Sequence, residues 1–235
     1  MKIMVAIPCM EYAHVNFAYS LRTLRTVGET HFVMKPNSLI YTARNELAAI
    51  AVFNNVDYVL WLDSDMVFAP NTLVKMVRDL EQNDLDIVTG LYFRRNPPFT
   101  PVLFDELKRD GDAISWSEFA EIPSGLFEVG GCGFGCVLMR AEVLQKVQET
   151  CGLLFAPIGN NGEDVAFCIR ARECGYKIYC DPEVKCGHVA HTVINEAHFK
   201  MYGGTNETDR NVISDDRDIR EPVRQQCAGR NLKRP

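Results

Sequence analysis

Apolar runs of strand length alternate with helix-period stretches through about the first 90 residues, and that alternation leaves few folds open. Lys2–Ile7 reads as a strand closed by Pro8. Phe17–Val27, with Leu21, Leu24 and Val27 at helical spacing, reads as a helix, and His31–Met34 as the next strand. Ile40–Phe53 follows as a helix with Ser38 as a cap, then Asp57–Leu62 as a strand. Pro70 opens a further helix, in which Leu73, Met76, Val77 and Leu80 repeat at three and four, and Asp86–Leu91 is the fourth strand. The run from Tyr58 to Leu62 is apolar throughout rather than alternating, as expected for a strand covered on both faces. The pattern predicts an α/β fold whose central, mostly parallel sheet is flanked by helices.

The alternation then breaks. Tyr92–Phe127 holds Pro97, Pro98, Pro101 and Pro123, and reads as irregular chain with hairpin pieces around the Asp110-Gly111-Asp112 turn, a small antiparallel β extension. Val129–Met139 is a glycine-rich loop entering a strand. Helices are expected over Ala141–Thr150 and Glu163–Cys174, the latter stopped by Gly175. Strands follow over Tyr176–Cys180, ended by Asp181-Pro182, and over Val184–Val189. One domain over 1–202 and a polar tail over 203–235, disordered or wrapped on the domain, account for the chain.

A net charge of −6 argues against a nucleic-acid binder, which needs a basic face. Ile3–Ile7 is too short for a leader's apolar segment, and no apolar stretch reaches the roughly 18 residues of a membrane span. A cytoplasmic protein with reduced thiols is expected, although nine cysteines are present. Cys168, Cys174, Cys180 and Cys186 lack the close pairs of a zinc knuckle and read as buried thiols.

Asp-x-Asp occurs four times, at Asp63/Asp65, Asp84/Asp86, Asp110/Asp112 and Asp216/Asp218. Only Asp63-Ser64-Asp65 leaves a buried strand, where two carboxylates suit Mg²⁺ or Mn²⁺ carrying a diphosphate. Glu163-Asp164 opens a helix after Asn160-Asn161-Gly162 and can favour the helix dipole or serve as a general base. His188 and His191 follow in Cys186-Gly-His-Val-Ala-His, where one metal ligand is expected rather than two. Gly130 and Gly131 do not form a dinucleotide fingerprint and read as glycines that let backbone approach a ligand. Arg44, early in its helix, can reach a diphosphate or lie on a solvated face.

In this order, Ile7-Pro8, Ala43-Arg44-Asn45, Asp63-Ser64-Asp65-Met66, the Gly-Gly loop, Gly162-Glu163-Asp164, Gly175-Tyr176-Lys177, Asp181-Pro182 and Gly187-His188 resemble a GT-A-fold glycosyltransferase of the family 2 type. The resemblance covers residues 2 to 191 and implies transfer of a sugar from a nucleotide-diphosphate sugar, UDP-linked by family habit, to a glycan or other hydroxyl acceptor. It implies Asp65 as a ligand of Mn²⁺ or Mg²⁺, Asp63 beside ribose or metal, and His188 completing the metal shell. It implies Asp164 as the base with Glu163 assisting, and a single base predicts inversion. Pro8 to Glu11, Cys9 included, would line the nucleobase pocket, with Ser64 in the donor site, Arg44 near the diphosphate and Gly130 and Gly131 bordering the sugar. The Gln-x-x-Arg-Trp motif and membrane helices of processive members are missing from the sequence. A sugar-phosphate nucleotidyltransferase would want a glycine-rich basic loop where Pro8–His14 stands, and a non-catalytic nucleotide-sugar or glycan-binding module is the other alternative.

Overall fold

The computed structural model of the chain describes residues 1–190 together with 193, 194 and 196. The expected tail over 203–235 and His191 lie outside the described residues. The first half runs β1 (Lys2–Pro8), α1 (Val15–Thr23), β2 (Glu29–Lys35), α2 (Ile40–Phe53), β3 (Tyr58–Leu62), β4 (Met66–Val67), α3 (Thr72–Asn83) and β5 (Ile87–Leu91). Short strands β6 (Leu103–Phe104), β7 (Glu106–Asp110), β8 (Ala113–Ser117), β9 (Phe127–Val129) and β10 (Gly131–Cys132) follow. The chain continues with β11 (Cys136–Arg140), α4 (Ala141–Cys151), α5 (Glu163–Glu173), β12 (Ile178–Lys185), β13 (Gly187–Val189) and β14 (Val193–Ile194).

Seven strands form the central sheet in the order β2-β1-β3-β11-β5-β12-β9. β2, β1 and β3 run parallel, as do β5 and β12, while β11 sits antiparallel between β3 and β5 and β9 is antiparallel at the edge. Burial on both faces explains the composition of β3. Val59 and Trp61 enter the core formed with Leu47, Ala48 and Ala51 of α2 and Val143, Leu144 and Val147 of α4. Tyr58, Leu60 and Leu62 enter the opposite core, with Phe17 of α1 and Leu73, Met76, Val77 and Leu80 of α3. Helices therefore cover both faces, as a doubly wound sheet requires.

Local departures from the sequence reading have physical reasons. α1 begins two residues early because the His14 side chain accepts from Asn16 N–H, and it ends at Thr23. Pro70 lies in the turn before α3, which starts at Thr72. β12 does not stop at Asp181-Pro182: a register shift between Asp181 and Lys185 absorbs the missing N–H of Pro182, and pairing with Leu91 resumes beyond it. The Gly111-Asp112 turn joins β7 to β8 as a hairpin, with Gly111 at φ 59.

Candidate active site

The two halves of the candidate site are joined by backbone. Asp63 follows the buried β3, and its N–H donates to Gly135 O at 3.1 Å. β4 begins immediately after Asp65 and pairs antiparallel with β13, so that His188 stands opposite Met66. Val189 N–H also donates to Asp65 O at 2.9 Å. More than a hundred residues of intervening chain are thereby spanned, and His188 Nε2 comes to 3.5 Å from Asp65 Oδ2. His188 Nδ1 lies 2.9 Å from Phe93 O. A carbonyl only accepts, so Nδ1 carries the hydrogen, and Nε2 is the nitrogen that faces the carboxylate. The imidazole also stands edge-on to Tyr92, with ring centroids 5.6 Å apart. Arg95 adds its guanidinium to Asp65 Oδ2 at 3.0 Å. Burial pushes the Asp65 carboxyl up, but His188 and Arg95 outweigh it and hold the group below its ordinary range.

Arg44 is buried rather than on a solvated helix face, and it meets the cleft through Asp63. Its side chain is 2% exposed. It donates through Nη2 to Asp63 Oδ1 at 2.8 Å and through Nε to Glu163 Oε1 at 3.1 Å. The guanidinium carbon lies 5.9 Å from the Trp61 ring centroid and 5.3 Å from that of Phe134. Burial opposes the charge of Arg44, yet the Asp63 and Glu163 carboxylates keep it cationic. Arg44 thus ties the strand exit to the first turn of α5. Asp63 is pushed up by burial, with Arg44 pulling it down and Asp65 and Glu163 pushing it further up.

Asp164 occupies the second position of α5, and its Oδ1 accepts from Val165 N–H at 2.7 Å. Burial, then the charge of Glu163, pushes its carboxyl up to about 6. That is where a general base working near neutral pH is useful. A cleft of about 190 Å³ opens at the exit of β3, lined by Pro8, Cys9, Ser38, Asp63, Ser64 and Asp65 among others. Glu11 stands outside it, exposed, and accepts from Tyr12 Oη at 3.1 Å. Larger hollows lie elsewhere, one of about 770 Å³ at the opposite end of β3 around Tyr58 and Arg140.

Gly130 and Gly131 are buried, and the space their missing Cβ atoms leave is taken up by the protein's own chain. A Cβ on Gly130 would lie 2.8 Å from Asp105 O, and one on Gly131 would lie 2.3 Å from Leu107 Cδ1. Gly133 and Gly135 matter more for the site. A Cβ at Gly133 would lie 2.1 Å from Tyr92 Oη, which accepts from Gly135 N–H at 3.1 Å. Cys168, Cys174, Cys180 and Cys186 are scattered, with Cys168 in α5, Cys174 at its end, Cys180 in β12 and Cys186 beyond it. Among the described residues no three His, Cys, Asp or Glu side chains converge on one point.

Sequence reasoning missed Tyr92, Phe93 and Arg95, which follow β5 in the proline-rich stretch. The signal that finds them is a basic pair, Arg94-Arg95, starting three residues beyond the carboxyl end of a buried strand.

A family model described as glycosyl transferase family 2 matches residues 28–148. No curated protein matches the chain. Among solved structures, the crystal structure of A197 from STIV is similar with a TM-score of 0.59 and 21% identity. The match covers 81% of this chain and 86% of that one, a likeness of fold.

Proposed function

The chain belongs to glycosyl transferase family 2, and from that premise we propose that it transfers a sugar from a nucleotide-diphosphate sugar, UDP-linked, to an acceptor hydroxyl with inversion. No helix among the described residues is long and apolar enough to cross a membrane.

The observation that carries the proposal is the pairing of Asp65 with His188 at the exit of β3, with Asp164, its carboxyl raised to about 6, near enough to Asp63 to feel its charge. The donor set fits a divalent cation. With Nδ1 of His188 committed to Phe93 O, Nε2 is left 3.5 Å from Asp65 Oδ2, and on a neutral ring it would offer its lone pair to a cation beside that carboxylate. A hard carboxylate oxygen with an imidazole suits Mn²⁺ or Mg²⁺, the remaining positions falling to phosphate oxygens and water. Bound there, the cation would neutralise charge developing on the leaving diphosphate.

The protein's own groups supply the rest. Pro8, Cys9 and Ser64 line the cleft in which a nucleoside would lie, and Asp63, held by Arg44, accepts from a ribose hydroxyl. Arg95, half-exposed beside Asp65, is a second cation within reach of the diphosphate. Asp164 takes the proton of the attacking acceptor hydroxyl. Glu163 raises the basicity of Asp164 by its charge and is itself anchored by Arg44. One base and one attack give inversion.

The test is nucleotide release from a panel of nucleotide sugars, with Mn²⁺ or with chelator. Metal-dependent release by wild type and none by Asp164→Asn is expected. Release unaffected by Asp164→Asn removes the base, and a product that retains its anomeric configuration removes the single displacement.

A further inference from the structure

The outer edge of β2 carries groups that sugar transfer leaves idle. β2 is the terminal strand of the sheet, 7 residues long, and among the described residues it pairs only with β1. Glu29 N–H donates to Met1 O, and Lys35 O accepts from Cys9 N–H, so the odd-numbered residues address the β1 side. By alternation, Thr30, Phe32 and Met34 turn their N–H and C=O groups outward. Edge strands are commonly blunted by proline, a bulge or a central charge. The register of β2 is unbroken and its sequence, Glu-Thr-His-Phe-Val-Met-Lys, keeps Lys and Glu to its two ends. Phe32 and Met34 are 44% and 49% exposed. They floor an apolar groove of about 520 Å³ whose other wall is Phe17, Ala18 and Leu21 of α1.

What fits this edge is written in the strand itself. Two antiparallel copies related by a dyad at Phe32 set Glu29 against Lys35, Thr30 against Met34, and His31 against Val33. Opposite charges meet at both ends, and the apolar side chains of both copies share the α1 side. The dyad also pairs the residues whose amides face outward, so the ladder closes without a shift. A slip of one residue would oppose outward-facing to inward-facing groups and lose both features. The present partners of the end charges, His31 for Glu29 and Glu46 for Lys35, are exposed ion pairs that cost little to exchange. An isologous contact closes on itself and consumes the edge, whereas a head-to-tail one leaves it open.

We propose that β2 is the centre of a two-fold interface between two copies of this chain, which joins their sheets through antiparallel β2 strands centred on Phe32. The apolar groove beside α1 is closed in the same contact.

Light scattering on the full chain at tens of micromolar tests this, with twice the 26.6 kDa chain mass expected. Phe32→Lys, which sets two like charges at the dyad, should give a monomer with unchanged circular dichroism and nucleotide binding. Glu29→Lys and Lys35→Glu should each weaken the dimer and together restore it. Phe32→Cys should cross-link under mild oxidation beyond the background of wild type, because facing residues of a hydrogen-bonded pair have Cα atoms about 5.5 Å apart, within disulfide reach. Val33→Cys should not. A wild-type monomer overturns the proposal, including one whose Thr30, Phe32 and Met34 amides are protected from exchange, since residues 197–235 would then cover the edge in cis. A dimer that survives Phe32→Lys and fails to cross-link at 32 overturns it as well. All these readouts are independent of sugar transfer.

Discussion

Replacing Arg44 by Met removes the cation buried between Asp63 and Glu163, and with it the guanidinium that lies against Trp61 and Phe134, while keeping a side chain of similar length. Two charge-assisted hydrogen bonds are lost, worth about 1.5–3 kcal/mol each, and two carboxylates are left facing each other. Breaking a buried pair from one side costs about 3–5 kcal/mol. For a domain of this size that lowers Tm by about 6–20 °C. Arg44→Lys keeps the charge but cannot fork to both partners, and should lose about half as much. Without Arg44 the Asp63 carboxyl, already raised by burial, rises further, so the acid limb of nucleotide binding moves to higher pH. Thermal unfolding of Arg44→Met, Glu163→Gln and the double variant gives the coupling, and the double variant should lose less than the sum. If Arg44→Met melts within a few degrees of wild type and binds nucleotide with an unchanged pH profile, the guanidinium bridge does not organise the site.

Three further outcomes follow from particular groups. Catalytic efficiency should fall as pH drops through about 6, because Asp164 must be deprotonated to accept a proton; a flat profile from pH 5 to 8 would exclude it as the base. Asp79, pushed up to about 6 by burial and then by neighbouring Asp181, favours the protonated form in the fold, so its contribution is present at low pH and lost as pH rises through that value. Asp79→Asn should therefore raise Tm more at pH 7.5 than at pH 5, and calorimetry at both values checks the sign. Gly133→Ala would drive a methyl into Tyr92 Oη and Val102, destabilising by about 1–3 kcal/mol and loosening the ring beside His188. Melting together with Mn²⁺-dependent nucleotide binding reports both effects.

Period and composition made much of the scaffold legible. The 3-4 spacing of Leu73, Met76, Val77 and Leu80 marked the buried face of α3, and the unbroken apolar run of β3 marked a strand with two covered faces. Boundaries set by single hydrogen bonds were not legible, such as the His14 cap or the bulge that carries β12 past Pro182. Asp63, Asp65, Asp164 and His188 could be picked out because each stands where an element begins or ends. Arg44 could be named but not placed, since its partners lie 19 and 119 residues away and nothing in its own helix declares that it is buried. The glycines misled for a related reason: a chain without Cβ atoms accommodates its own backbone and Tyr92 as readily as a ligand.

Titration of UDP into wild type, Asp65→Ala and Asp164→Asn, each with Mn²⁺ and with chelator, tests the central claim most directly. Wild type and Asp164→Asn should show the same Mn²⁺-dependent gain in affinity, and Asp65→Ala should lose that gain. An Mn²⁺-dependent gain that survives in Asp65→Ala would contradict the assignment of Asp65 as the carboxylate that holds the cation and the diphosphate.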